Sequence, residues 1–584
     1  MKRRHRLPFG AEILDGGVRF RLWAPKLDRV SLVIEGGPEL AMKAEEDGWF
    51  ALETEAARAG TRYRYRVGEL LVPDPASRYQ PEDVHGPSEV VDPTRHEWGD
   101  EGWHGRPWEE TVLYELHVGA FSETHDFDGV ARRLDHLVEL GVTAIELMPV
   151  AEFPGARNWG YDGVLLFAPE ARYGGPEGLK RLVEACHARG LSLFLDVVYN
   201  HFGPEGNYLG AYAEFFTRRH STPWGDGINF DGPQSRPVRD FFIENALYWL
   251  EEFNVDGLRF DAVHAILDDS DPDILTELAT AVRARIKDRP VHLVLENDDN
   301  RARYLAHGLY TAQWNDDVHH ALRVQLSGES GGYYADYADR PAERLGRALA
   351  EGFAYQGEPS PYRGGTPRGE PSSHLAPTAF VAFAQNHDQV GNNAFGSRLA
   401  RLAPPDAVAA GAAIIALSPQ VPMLFIGEEW AAEQPFLYFV DFGVELAAAV
   451  REGRRHEFAK FPEFADPAAR ERIPDPNAPE TFERSVLDWS VVDRSPHAEA
   501  LARTRALLEL RKREIVPRLA GARAGTWQVL AEKSVEVRWP MGDGTTLVLV
   551  ANFGEAPVDA ARAGRLLHAS AGPGTPRSAT FYLA

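Results

Sequence analysis

From about residue 107 the chain alternates short apolar runs with longer amphipathic ones, and it does so eight times. The apolar runs span 112–118, 144–149, 191–198, 257–261, 291–296, 311–315, 380–385 and 421–426. Each is short and almost continuously apolar, the pattern of a strand covered on both faces. Helical periods lie between them, over 127–141, 176–190 and 241–253. Alternation of this kind predicts a parallel sheet with helices outside it, and eight units predict an α/β chain closed into a (β/α)8 TIM barrel. An open doubly wound sheet is the alternative. No glycine-rich phosphate loop follows any of the runs, which disfavours it.

The flanks obey a different period. Val18-Arg19-Phe20-Arg21-Leu22-Trp23 and Thr61-Arg62-Tyr63-Arg64-Tyr65-Arg66-Val67 alternate with period two, and Gly36-Gly37 and Asp47-Gly48 supply turns. Residues 1–95 therefore read as an N-terminal β-sandwich and a Pro- and Asp-rich ordered connector. The barrel takes 96–517, with a small insertion after its third strand at about 202–237 that walls the site. An amphipathic helix over 497–514 is read as its last. Short strands at 527–530, 534–539 and 545–550 make 518–584 a C-terminal β domain. The apolar stretch 407–426 resembles a membrane span, but Pro419, Gln420 and Pro422 divide it into a buried helix and a buried strand.

The chain has 584 residues and a net charge of −25. That charge repels nucleic acid and anionic membranes, so neither is expected as a partner, and a neutral substrate fits better. The basic start Lys2-Arg3-Arg4-His5-Arg6 has no apolar run behind it and reads as a solvated tail. The one cysteine, Cys186, lies in a helical run and reads as a small core residue. With no disulfide possible within the chain, a cytoplasmic location is expected.

The polar residues gather where the apolar runs end. Asp196, Asn200 and His201 follow the third, Arg259 and Asp261 close the fourth, Glu296 closes the fifth, and Asn386-His387-Asp388 follow the seventh. Arg259 and Asp261 share one face of their strand. Alone they are equally well a structural ion pair. In a barrel all these ends meet on one face, where catalytic groups collect. Paired carboxylates without a nucleotide or metal motif suit glycoside hydrolysis or transfer. Asp261, beside Arg259, is expected to stay ionised as nucleophile. Glu296, with no basic neighbour in sequence, is expected to carry a proton as acid/base. Asp388 would stabilise the cationic transition state. Retention of configuration predicts the two carboxyl groups about 5–5.5 Å apart.

The stretches Asp196-Val197-Val198-Tyr199-Asn200-His201, Gly257-Leu258-Arg259-Phe260-Asp261, Leu295-Glu296 and Asn386-His387-Asp388 occur in that order. They resemble the four signature regions of the α-amylase superfamily, glycoside hydrolase family 13. That resemblance implies the same three roles, and places His201, His387 and Arg259 around the cleaved sugar. A finer resemblance, to the maltooligosyltrehalose trehalohydrolases, rests on five further stretches. They are Pro73-Asp74-Pro75-Ala76-Ser77-Arg78-Tyr79, Asn158-Trp159-Gly160-Tyr161-Asp162, Trp314-Asn315-Asp316-Asp317-Val318-His319-His320, His387-Asp388-Gln389-Val390-Gly391-Asn392 and Gly427-Glu428-Glu429-Trp430. It implies hydrolysis of the α-1,4 bond beside the terminal trehalose unit of maltooligosyltrehalose, after a separate enzyme has formed that substrate. A glycogen-branching or debranching enzyme, or a non-catalytic carbohydrate-binding protein, is the rival.

Substrate contacts are expected from Trp159 and Tyr161, whose flat rings suit sugars. Asp316, Asp317, His319, His320, Gln389 and Asn392 are expected to recognise hydroxyls. His264 would reach the leaving-group side or cap a helix. The acid-dense run 268–273 lacks the glycine and terminal glutamate of a calcium loop and reads as a solvated turn and helix start. Many amylases hold calcium near the third-strand insertion, and Asn200 matches one such ligand by resemblance. No metal and no cofactor are expected.

Overall fold

The computed structural model describes residues 2–459 and 464–584. Eight parallel strands close into a barrel: β1 (Leu113–Leu116), β2 (Ala144–Leu147), β3 (Ser192–Val197), β4 (Gly257–Phe260), β5 (His292–Leu295), β6 (Ala312–Trp314), β7 (Phe380–Phe383) and β8 (Val421–Phe425). Leu113 of β1 pairs with Ala144 of β2 on one side and with Met423 of β8 on the other, which closes the ring. Every residue of these strands is buried, as strands covered by helices outside and packed side chains inside must be. Leu113, Ala144, Phe194, Val294, Trp314, Phe383 and Met423 belong to one cluster drawn from seven of the strands.

The helix expected over 127–141 is two pieces, Phe127–Ala131 and Leu134–Leu140. The Asp126 carboxylate accepts from the Gly129 N–H and starts the first, and Gly141 at φ 102° ends the second. The stretch 407–426 is helix Pro405–Leu417 and strand β8. Among the described residues no helix is long and apolar enough to cross a membrane.

Two antiparallel sheets precede the barrel. One holds Gly10–Leu14, Gly17–Trp23, Trp49–Thr54 and Lys43–Ala44, the other Glu39–Ala41, Val30–Ile34, Arg62–Val67 and Leu70–Val72. Val18, Phe20 and Leu22 face Tyr63, Tyr65 and Val67 as the period-two pattern requires, with Phe20 edge-on to Tyr63 at 4.7 Å. The Tyr63 and Tyr65 hydroxyls both donate to buried Asp74. After the barrel, Thr526–Ala531, Ser534–Pro540, Thr546–Asn552, Ser578–Leu583 and Arg565–Ala569 form one antiparallel sheet. The last two of these in the sequence were not legible in it, because Gly- and Pro-rich segments separate them. The Trp539 indole donates to the Leu349 carbonyl and ties this sheet to helix Pro341–Glu351.

The basic N-terminus is not a solvated tail. The His5 ring lies between Glu244 and Glu251 at 2.7 and 2.6 Å, and Arg4 reaches Glu12 at 2.7 Å. Arg78 of the connector pairs with Glu12 at 2.6 Å and donates to the His5 carbonyl. Helix Ser235–Glu252, distant in sequence, gives His5 its partners, and Glu12 of strand Gly10–Leu14 serves Arg4 and Arg78.

On the far side of the barrel, His187 bridges Asp100 of the connector and Asp256, just before β4, at 2.9 and 3.0 Å. All three side chains are buried. Burial alone would lower the His187 pKa, but its hydrogen bonds to the two aspartates and their charges outweigh it and raise it above 6.5. Burial opposes, yet His187 brings both aspartates below 3.8. The histidine's contribution is thus complete below pH 6.5 and lost as pH rises through its folded value. The aspartates' contribution is present above 3.8 and lost as pH falls. His187→Ala should therefore lower the calorimetric Tm more at about pH 5.5 than at about pH 9. Equal losses at both would exclude the charged bridge.

Candidate active site

Arg259 is the hub of the barrel's catalytic face. It pairs in register with Asp196 across the β3–β4 ladder, so the two side chains leave the sheet together. Its Nη1 donates to Asp196 Oδ2 at 2.6 Å and to Asp261 Oδ1 at 3.0 Å, and its Nη2 donates to Glu296 Oε2 at 2.6 Å. The guanidinium lies 4.1 Å over the Trp314 ring. The expected division of labour, with Arg259 on Asp261 and Glu296 left without a cation, is overturned. Sequence neighbours did not reveal that β5 brings Glu296 onto the second nitrogen of the same guanidinium.

The backbone bends to make this possible. Ala262, directly after Asp261, sits at φ 41°, ψ 49°, a left-handed conformation that costs a non-glycine residue about 1–3 kcal/mol. Its N–H donates to Glu296 Oε2 at 2.8 Å, and the Val263 N–H donates to the Glu296 carbonyl at 2.9 Å. Asn200 holds the other carboxyl, its amide donating to Asp261 Oδ2 at 2.7 Å and to the Asp261 carbonyl at 2.8 Å.

The acidic groups behind and beside this hub hold protons readily. Burial pushes Asp196 up to about 7 even with Arg259 beside it. Burial also raises Asp388, and it raises Asp316 strongly, helped there by the charge of Glu296. The surroundings of His387 favour its charged form. Burial would lower its pKa, but Glu115 on β1 overcomes this by charge and by a 2.5 Å hydrogen bond. The other ring nitrogen meets the Tyr161 hydroxyl at 2.9 Å, and that hydroxyl donates to Asp196 at 2.6 Å.

A cavity of about 250 Å³ opens at Glu296 and contains His264, Asp316, His320, Asp388 and Gln389 in its lining. The Gln389 amide donates to Asp316 at 3.3 Å, and Asn392 donates to Asp388 at 2.5 Å. Burial brings His320 down to about 4, so it meets this cavity as a neutral ring. Tyr161 stacks on His387 with centroids 5.1 Å apart. His201 takes a second position, its Nε2 2.9 Å from the Tyr161 carbonyl and its ring in a neighbouring groove.

Three expected sugar contacts are structural instead. Trp159 is buried, stacked on Phe436 and edge-on to His387, with its indole donating to the Leu437 carbonyl. Its neighbouring glycine marked a loop, but that loop folds inward. Asp317 is buried under Tyr337, Arg368 and Asn300. His319 is buried against the Ala384 carbonyl and the Tyr334 hydroxyl. Helix Asp316–Ser327 carries Asp316, Asp317, His319 and His320, so consecutive positions point to different faces and Asp316 and His320, four apart, share the cavity side.

Sequence reasoning missed the cavity's outer wall. Tyr333, Tyr337, Tyr362, Arg363 and Arg368 line it. All lie in the long connection between β6 and β7, and the available signal was its length together with Gly331-Gly332-Tyr333-Tyr334. Asp298 ties this wall to β5, pairing with Arg368 at 2.9 Å and with Arg363.

The acidic run 268–273 is a helix start, with Asp273 capping Ile274–Arg285. Asp268, however, is buried in an ion pair with Arg239 at 2.8 Å, so that part is not solvated. Among the described residues, His220, Asp231 and Asp269 bring possible ligand atoms within 4.8 Å of one another. Arg219 already lies against both carboxylates, at 3.4 and 2.7 Å, and supplies the positive charge there.

Comparison with known proteins adds the relationship. Residues 115–247 match the family model of the alpha amylase catalytic domain, and 522–581 match a domain of unknown function. A malto-oligosyltrehalose trehalohydrolase of Arthrobacter ramosus is 44% identical over 85% of this chain and 87% of its own. One from Saccharolobus solfataricus is 41% identical, covering 87% of each. The chain belongs to the malto-oligosyltrehalose trehalohydrolase family. The crystal structure of a candidate alpha amylase from Salmonella typhimurium superposes with TM-score 0.95 at 46% identity, over 99% of this chain and 100% of that one.

In this trehalohydrolase-family site, the protonation of His387 depends on Glu115. Glu115→Gln should lower the His387 titration, followed by NMR of the ring nitrogens, because burial then has only the charge of Asp388 against it. A titration that does not move would remove Glu115 from this role.

Proposed function

We propose that this chain hydrolyses the α-1,4 bond next to the terminal trehalose unit of maltooligosyltrehalose, releasing trehalose and a maltooligosaccharide. The observation that carries the chemistry is the shared guanidinium. Asp261 and Glu296 hang from the two nitrogens of Arg259 at 3.0 and 2.6 Å, so one cation holds both carboxyl groups at one point of the barrel face. Asp261 attacks the anomeric carbon and forms a glycosyl-enzyme. Glu296 gives its proton to the departing trehalose oxygen, then takes one from the water that releases the maltooligosaccharide. Both donors to Glu296 fall on Oε2, which leaves Oε1 to carry that proton. Asp388 stabilises the cationic transition state.

The trehalose specificity has a physical basis on the Glu296 side. Trehalose ends the substrate, so the leaving group needs a bounded pocket and not a through channel. The cavity of about 250 Å³, with Asp316, His320 and Gln389 on its inner side and Tyr333, Tyr362 and Arg363 on its outer side, supports that reading. Aromatic faces and fixed polar groups are the usual lining of a sugar site. The substrate must come from a reaction that turns the reducing end of a maltooligosaccharide into a 1,1-linked unit. A cytoplasmic location is supported by the single Cys186, buried and unpaired. The net charge of −25 supports a role without nucleic acid or anionic membrane.

Digesting maltooligosyltrehalose and plain maltooligosaccharide side by side tests the function. Trehalose should appear from the first, with much slower cleavage of the second. Equal cleavage of both, or branched products, would favour the branching or debranching rival. Glu296→Gln should lower kcat by about 10²–10⁴-fold, and Asp261→Asn by at least as much. Unchanged turnover in either would refute the assigned roles.

A further inference from the structure

Helix Val444–Phe458 stands in the excursion after β8, and Phe458 is its one buried residue. One turn earlier, Arg454 also faces inward, with a side chain only 9% exposed. Its carboxylate partner, Glu457, lies 3.3 Å away and is half-exposed. Burial lowers the Arg454 pKa against the charges of Glu457 and Asp388. Drawing a cation inward costs desolvation, which the fold recovers only through the groups that cation meets.

Those groups belong to the end of helix His387–Gly391. Arg454 Nη2 donates to the Gly391 carbonyl at 2.6 Å and to the Asn393 carbonyl at 3.4 Å. The last carbonyls of a helix have no partner within it, and an arginine that donates to them closes the end. Gly391 is clamped a second time. A Cβ there would lie 2.0 Å from the Trp159 ring, so the glycine backbone rests directly on the indole. Tyr438 joins the two clamps, edge-on to Trp159 at 5.2 Å and with its ring centroid 5.5 Å from the Arg454 guanidinium.

The clamped segment carries Asp388. Asn392 lies between the two carbonyls that Arg454 holds. Its amide donates to Asp388 Oδ1 at 2.5 Å, and its N–H donates to the Asp388 carbonyl at 2.8 Å. Among the described residues Asn392 is the one hydrogen-bond donor to that carboxylate. Asn392 itself is exposed, so packing around its side chain does not set its direction. Its backbone does, held on either side by Arg454.

We propose that Arg454 is a positioning residue, fixing residues 391–393 so that Asn392 holds the Asp388 carboxylate in the cavity beside Glu296. A largely exposed helix outside the barrel thereby acts on the transition state without touching the substrate. The inference rests on the function proposed above, in which Asp388 stabilises the cationic transition state.

The test is a double-mutant cycle in the full-length chain. Arg454→Met keeps the apolar stem and removes the donors. It should lower kcat on maltotriosyltrehalose about tenfold, less than the roughly 10²-fold that a 1 Å misplacement can cost. KM should stay within about twofold, as for a contact that counts only in the transition state. In the Asn392→Ala background the same change should lower kcat less than about twofold, because the group through which Arg454 acts is then gone. Arg454→Lys, which can still donate to one carbonyl, should recover most of the loss. A tenfold loss in both backgrounds would mark a merely structural role and overturn the proposal, as would an unchanged kcat or a loss carried by KM. If Arg454→Met does not fold, Arg454→Gln takes its place in the cycle and the same outcomes are read. Hydrogen exchange needs no substrate. The amides of 389–393 should exchange about tenfold faster in Arg454→Met, and unchanged exchange would overturn the proposal too. If wild type cuts maltoheptaose but releases no trehalose, the proposed function fails and the cycle is read on maltoheptaose. If it cuts neither, the inference falls with the mechanism.

Discussion

The buried guanidinium of Arg259 is the interaction on which the catalytic face depends. An arginine this deep is stable only among opposite charges, and three carboxylates, from the ends of β3, β4 and β5, close on it. The arrangement is over-supplied with acid. One cation among three carboxylates leaves a surplus of negative charge in a poorly solvated place, so the group as a whole favours retaining a proton. Burial lifts Asp196 to about 7 beside its cation, and the charge of Asp261 adds to that rise. A retaining glycosidase needs two carboxyl groups side by side, and the shared cation holds Asp261 and Glu296 together. The simpler idea, in which the arginine serves one carboxylate and ignores the other, does not survive the geometry.

Around the hub the rest of the fold acts as scaffold. Glu115 on β1 keeps His387 charged, Trp159 packs behind His387, and Tyr161 joins that histidine to Asp196. The strained Ala262 turns the chain so that its own N–H reaches Glu296. The connection between β6 and β7 adds the outer wall of the cavity at Glu296, and the third-strand insertion lines the groove beside His201. The proposed catalytic groups thus come from strand ends, which the barrel holds rigidly. The walls of both spaces come from connections, which tolerate change.

The helix that follows β6 shows where a linear reading loses resolution. Asp316, Asp317, His319 and His320 are nearly contiguous and all polar, so nothing local separates them. The helix turns by 100° per residue, which sends Asp316 and His320 to the cavity and Asp317 and His319 into the interior. The interior pair then needs partners of its own, and Tyr337, Arg368 and Tyr334 supply them from the next connection. Trp159 is the same lesson for a loop, since an aromatic beside a glycine is equally suited to a sugar face and to a core. His5 reads as solvated for a related reason, since its partners Glu244 and Glu251 lie far along the chain.

The sequence by itself determined the barrel, its strand order and the polar residues at each strand end. These follow from local periodicity, because an apolar run buried on both faces has few other places to go. It also carried the family relationship, through four ordered stretches. Only the tertiary structure decided which cation serves which carboxylate, which polar side chains face a cavity and how much room that cavity holds. Those are distances between residues tens to hundreds of positions apart, as in the 37 positions from Arg259 to Glu296, and no local pattern encodes them.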